Sequence, residues 1–323
     1  MRGFCLLLIG LTATGSALAL ELPGPLVNAA WLAQHGRDVQ IIDIRSNTKS
    51  FASQPVYETD PKTGQKVLVT PGGHIPGALL VDFQIIRTDR KIGNLVVKFM
   101  NPEKAEFEKL MQAAGVVANK PIILVPVGEN ASDVEQATRL YWQFKYYGEK
   151  NLAVLDGGLA GWFKEGRAVS NAVNAPAKGN WVSTGENKDL LAESEDVARA
   201  VKDERAQLVD ARDLPQFYGL VKRADVKGYG HIPGARPFPP DVQVKTEGGV
   251  AKFLPPAAYK AIFAESGIRI SGPAITYCNT GHLGSGAWFV MSEILRIPQV
   301  RLYDGSMIEW TLENRPAVSV PER

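Results

Sequence analysis

The chain has 323 residues, 45% of them hydrophobic and 22% charged, and a formal net charge of +2. So even a balance leaves no electrostatic footprint for nucleic acid or an anionic membrane, and no run after the N-terminal segment is long enough and apolar enough to span a bilayer. Length and composition fit a globular protein of two ordinary domains without low-complexity tracts.

Residues 1–19 open with Arg2, continue as an apolar run and end in Ala17–Ala19. That is the layout of a cleaved signal peptide. Thr12, Thr14 and Ser16 interrupt the run, which weakens the reading as a membrane anchor, and no cysteine marks a lipoprotein site. The expectation is export: to the periplasm if the source is a Gram-negative bacterium, otherwise to the medium, with no stable membrane insertion after cleavage. Cleavage removes Cys5 and leaves Cys278 as the one thiol, so no intramolecular disulfide forms.

The rest of the chain repeats itself. VQIIDIR (39–45) returns as AQLVDAR (206–212), and GGHIPGAL (72–79) as YGHIPGAR (229–236). KPIILVP (120–126) returns as GPAITYC (272–278), and NLAVLDGGLAGW (151–162) as QVRLYDGSMIEW (299–310). Four blocks in one order mean two copies of one domain. The first is placed at 20–170, a linker at 171–180 and the second copy at 181–323. Each copy alternates short apolar runs with helical patterns, which predicts an α/β domain with a mostly parallel sheet flanked by helices. Cys278 directly follows the strand AITY, at a strand's carboxyl end, where such sheets carry their functional groups.

An Asp-x-Arg strand, a His-Ile-Pro-Gly-Ala turn, a strand ending in Cys before a loop and helix, and Asp-Gly-Ser before a Trp together resemble the rhodanese sulfurtransferases. Two tandem copies, with cysteine only in the second, resemble the two-domain thiosulfate and mercaptopyruvate sulfurtransferases. The resemblance implies that Cys278 takes a sulfane sulfur from a small anionic donor as a persulfide and passes it to cyanide or a thiol, with no cofactor. It also implies a donor-contacting basic residue before the second HIPGA turn. Arg223 is the first choice for that residue, because a guanidinium grips oxyanions bidentately, with Lys222, Lys227 and Arg236 as alternatives. The sequence departs from thiosulfate-specific members, which often carry a basic residue beside the cysteine or near the loop's end. Asn279, Leu283 and Gly284 stand there instead.

The repeat serves as an internal control. Asp43 with Arg45, and Asp210 with Arg212, recur in both copies and read as structural ion pairs. His74 and His231 read as turn-shaping residues rather than bases, and Asp156 and Asp304 as turn residues. The copies differ where Pro126 stands against Cys278. The first loop, PVGENASD (126–133), holds Glu129 and Asp133 and no nucleophile, so this copy is expected to be silent while shaping the cleft.

The active-site loop comprises Asn279, Thr280, Gly281, His282, Leu283 and Gly284. Gly281 and Gly284 allow backbone N–H groups to turn inward as an anion-holding nest, ahead of a helix expected to start at Gly284 or Ser285. His282 reads either as a donor or partial cation that meets the substrate or as an exposed residue at the helix start. Asn279 offers a hydrogen bond to substrate, and Ser285 a helix cap.

Competing chemistries fail on specific residues. A cysteine phosphatase needs Arg at position 284, which is Gly. CNTGH lacks the second cysteine of a haem site, Cys278 and His282 have no evident further metal ligands, and GHLGSG lacks the glycine order of a dinucleotide loop. Two alternatives stay open: a persulfide carrier or partner-binding module without turnover, and a sulfurtransferase specific for 3-mercaptopyruvate.

Overall fold

A computed structural model describes residues 20–59, 61–62, 64, 66–173 and 175–320. The expected signal segment lies outside the described residues.

The first copy is built on strands β1 (Leu26–Val27), β2 (Gln40–Arg45), β3 (Leu79–Asp82), β6 (Ile122–Pro126) and β7 (Leu152–Leu155), with a hairpin, β4 (Thr88–Ile92) and β5 (Leu95–Met100), between β3 and β6. The sheet order is β1-β7-β6-β2-β3, with every pairing parallel. The second copy repeats it with β8 (Leu191–Ala192), β9 (Gln207–Asp210), β10 (Arg236–Pro237), β13 (Ala274–Tyr277) and β14 (Val300–Tyr303) in the order β8-β14-β13-β9-β10, again all parallel. Its hairpin is β11 (Val244–Glu247) with β12 (Val250–Phe253). Every residue of β2, β6, β9 and β13 is buried, as apolar strands covered on both faces should be.

The halves meet along two equivalent helices. Helix α1 (Ala131–Tyr146) follows β6, and its N-cap Asn130 accepts the Asp133 N–H. Helix α2 (His282–Phe289) follows β13. Residues 134–144 of α1 are all buried, because one side covers its own sheet and the other meets α2. The Tyr141 ring packs edge-on against Phe289 at 4.9 Å. One apolar cluster therefore runs through both halves, from Ile42 and Leu124 to Trp288 and Leu302.

Paired residues confirm the duplication. Arg45 and Arg212 fork onto Asp43 and Asp210 at 2.5 and 2.6 Å, and each also holds the carbonyl of a glycine before the HIPGA turn, Gly73 or Gly230. His74 stacks on Phe51 and His231 on Phe217, both at 3.8 Å, and each turn bridges to the end of its own copy, at Ser170 or Val318. Both histidines thus brace turns.

Asp156 and Asp304 do more than turn the chain. Asp156 accepts the Phe253 N–H at 2.9 Å and Asp304 the Asn101 N–H at 2.7 Å, so each copy's aspartate holds the hairpin end of the other. Beyond the segment 171–180 expected as a linker, the chain still packs on the first copy. Trp181 is buried against Phe107 and Phe144, and Asn187 N–H reaches the Tyr146 carbonyl. The chain stays on the first copy as far as Asn187, and the second sheet begins at Leu191.

Candidate active site

Cys278 directly follows β13 and is 1% exposed. The loop after it is short because Gly281, at φ 71°, caps α2 directly, so the helix starts at His282, before the expected Gly284 or Ser285. Only glycine fits at 281. A Cβ there would sit 2.6 Å from Arg139 Nη1 and 2.8 Å from Asp304 Oδ1, in a backbone region that other residues avoid. Gly284 lies against the Tyr277 backbone and Leu302, 3.0 Å from where a Cβ would be, which seats the helix start on the strand ends.

The loop amides divide between the sulfur and a hydroxyl. The Thr280 N–H approaches Cys278 Sγ at 3.4 Å. The Cys278 and Gly281 N–H groups both donate to Ser306 Oγ, at 3.1 and 3.0 Å, and that hydroxyl donates to the Tyr303 carbonyl. Ser306 opens helix α3 (Ser306–Leu312), whose Met307 and Ile308 N–H groups hold the Cys278 and Asn279 carbonyls. Ser306 sits at φ 51° and its counterpart Gly158 at φ 55°. A serine tolerates that strained position where its hydroxyl organises the thiol loop. Sequence reading missed Ser306; the signal was the change from Asp-Gly-Gly to Asp-Gly-Ser between copies.

The other loop residues are committed to the protein. Asn279 Nδ2 donates to Gln216 Oε1 at 2.8 Å. Ser285 is not the cap: its hydroxyl donates to the His282 carbonyl at 2.6 Å and shares a 3.0 Å hydrogen bond with Thr138 of α1. Thr280 is buried and Leu283 half-buried. The half-buried His282 ring tilts against Phe83 of the first copy at 4.5 Å, and its Nε2 is buried without a partner. Burial first, then the Arg87, Arg139 and Arg223 cations, push its pKa down to about 3. It stands against Phe83 as a neutral imidazole, not as a cation.

The positive charge comes from arginines, two of them on the first copy. Arg139 of α1 is fully buried, pairs with Asp304 at 2.5 Å, and approaches the Gly281 carbonyl at 3.5 Å. Arg87 lies between β3 and β4, with its Cζ 4.0 Å from the Phe83 ring centroid. Arg223 is exposed, forks onto Asp225, and places its Cζ 5.8 Å from the Phe99 ring. Lys222 donates to the Val226 carbonyl, Lys227 is exposed, and Arg236 lies beside Gly267, ahead of β13 rather than at its carboxyl end. Glu135, fully buried in α1, has its pKa raised well above the carboxylate range by burial and then by Cys278 and Asp241.

The site is thus a buried thiol at a parallel strand's carboxyl end, in a chain built from two copies of one α/β domain. The Rhodanese-like domain model matches residues 27–165 and 193–313, and the chain belongs to that family. Its relatives include the "Sulfur carrier protein TtuD" of Thermus thermophilus, 29% identical over 89% of this chain and 94% of the relative. They also include the rat "Thiosulfate sulfurtransferase", 28% identical over 92% and 95%. Among solved structures, the 3-mercaptopyruvate sulfotransferase SseA from Escherichia coli superposes with a TM-score of 0.70 at 26% identity, covering 88% of this chain and 98% of that one. The protein is a sulfurtransferase-family chain with two rhodanese-like domains.

Proposed function

We propose that the protein is an exported enzyme that moves a sulfane sulfur from thiosulfate, or a donor of similar charge, through a Cys278 persulfide to cyanide or a thiol. The Cys278 thiolate attacks the outer sulfur of the donor, the donor's S–S bond breaks, and sulfite leaves with the bonding pair. Cyanide then attacks the outer persulfide sulfur and leaves as thiocyanate, returning the thiolate. The observation that carries this reading is Cys278, the one thiol among the described residues, enclosed by its loop with arginines of both copies near it. Anionic donors need such a field, and loop residues Asn279, Leu283 and Gly284 supply no charge. Arg223 and His282 are the proposed donor contacts, the latter as a neutral hydrogen-bonding group. Export rests on the pattern of residues 1–19.

Thiocyanate release is measured with thiosulfate and with 3-mercaptopyruvate, for wild type and Cys278→Ser. Rapid Cys278-dependent release with thiosulfate supports the proposal, and preference for mercaptopyruvate reassigns the donor. A second reading, a persulfide carrier, is favoured by the relative named as a sulfur carrier. Stoichiometric persulfide without turnover identifies that case.

A further inference from the structure

We propose that Arg87, on the copy without a thiol, is a donor-binding residue that forms with Arg223 a two-sided clamp on the oxygen end of the anionic sulfur donor. The proposal rests on the anionic donor of the preceding section and assigns a second contact to it from the other half of the chain.

Arg87 is placed unlike the other half-buried arginines. Among the described residues no carboxylate pairs with it. Nη2 donates to Gln84 Oε1 at 3.2 Å, and Nε is buried with no partner. Its guanidinium lies over Phe83, at 4.0 Å, and near Phe99, at 5.2 Å. Phe83 also meets His282, and Phe99 also meets Arg223. Two aromatic rings of the silent copy thus space Arg87 from the loop on one side and from Arg223 on the other. Phe99 takes its place at φ 63°, unusual for a bulky residue.

The electrostatics run the same way. Burial, then the like charges of Arg139 and Arg223, lower the Arg87 pKa to about 10, while Cys278 and Asp304 oppose them. Guanidinium stays charged at physiological pH in any case. Arg139 is paired with Asp304 and Arg223 with Asp225, but among the described residues no carboxylate forms an ion pair with Arg87. A cation held at a partly desolvated place without a partner favours an incoming anion, and the stacking rings keep the fork oriented. A dianion whose oxygens meet Arg87 and Arg223 directs its outer sulfur toward Cys278.

The test is made on the full chain as Arg87→Ala and Arg87→Lys. Two readouts are taken: thiosulfate kinetics, and the ratio of Cys278 alkylation rates by anionic iodoacetate and neutral iodoacetamide. Losing a charge-assisted contact should raise the thiosulfate KM about tenfold or more. The iodoacetate-to-iodoacetamide ratio should drop severalfold in Arg87→Ala, with iodoacetamide unchanged and Arg87→Lys intermediate. An unchanged ratio, or an equal fall with both reagents, overturns the assignment, the second outcome because it marks a structural role. The alkylation ratio stays readable if wild type does not use thiosulfate. A wrong donor class and a wrong residue are therefore told apart.

Discussion

Replacing Arg139 by Met tests whether the silent copy holds the thiol loop. Arg139 and Asp304 are 0% and 2% exposed, and their ion pair at 2.5 Å crosses from one half to the other. Removing one member of a buried pair costs about 3–5 kcal/mol, because it strands the other charge. Asp304 would keep one compensating bond, from the Asn101 N–H, which places the expected loss near the lower end, about 3 kcal/mol. Against a total of about 5–15 kcal/mol that is a large fraction, and it shows as a clear fall in the urea midpoint. Asp304→Asn alone should cost a similar amount. In the double variant no charge is left stranded, so at least ~2 kcal/mol of the summed loss should return as coupling energy. Sulfur transfer should fall in the single Arg139→Met variant, since the Gly281 turn packs directly on this pair. If the single change costs less than ~1 kcal/mol, or if the two losses simply add, the buried pair is not what joins loop and silent copy.

Three further outcomes are expected. His282 has a folded pKa near 3 against an ordinary 6.5, so the unfolded chain binds the extra proton between those values and stability falls as pH drops below about 6.5. His282→Gln should flatten that acid-side loss by about 1 kcal/mol at pH 4.5, after allowance for the ring's partial exposure, and an unchanged stability–pH curve would remove the argument. Gly281→Ala should cost at least ~1–2 kcal/mol and disrupt transfer, through positive φ and the clash with Arg139 and Asp304, and wild-type unfolding and kinetics would refute it. Pro126→Cys on a Cys278→Ser background should restore no thiocyanate release, because Glu129 and Asp133 put carboxyl groups in that loop where the second copy has none, and Gly158 stands where Ser306 would organise the loop.

Much of this was legible before the structure because duplication supplies its own comparison. Features shared by both copies, such as the Asp-x-Arg pairs and the HIPGA histidines, proved structural. The position of Cys278 after β13 followed from an apolar run ending in a loop. What stayed hidden lies where one copy acts on the other. Helix α1 carries Glu135, Gln136, Thr138, Arg139 and Gln143, residue types that read as a solvated face. All are buried: Glu135, Thr138 and Arg139 meet Gly286, Ser285 and Asp304 of the second copy, while Gln136 and Gln143 bond to Ser46, Ile86 and Asn101 of their own, and periodicity says nothing about partners from other parts of the chain. The early start of α2 was missed for a local reason: Gly281 was read as a nest residue, although its left-handed backbone serves as the cap. The neutral state of His282 was not legible either, since burial first and then three arginines, two of them on the other half, lower its pKa.

The first copy has Pro126 where the second has Cys278, and its loop holds carboxyl residues where the second holds none, but it still contributes to the surroundings of the thiol. It covers the thiol with α1, pairs Arg139 with the aspartate that borders Gly281, and faces His282 with Phe83. In return the second copy's β12 rests on Asp156 and Gly128 of the first. Because the staples at Asp156 and Asp304 are equivalent, the halves are tied by the same device in both directions. A substitution at either staple should act on both copies at once. The second domain expressed alone would present Cys278 on an uncovered face, without Arg139, Phe83 or Arg87. The proposed chemistry therefore belongs to both halves, with one copy supplying Cys278 and the other Arg139, Phe83 and Arg87 around its loop.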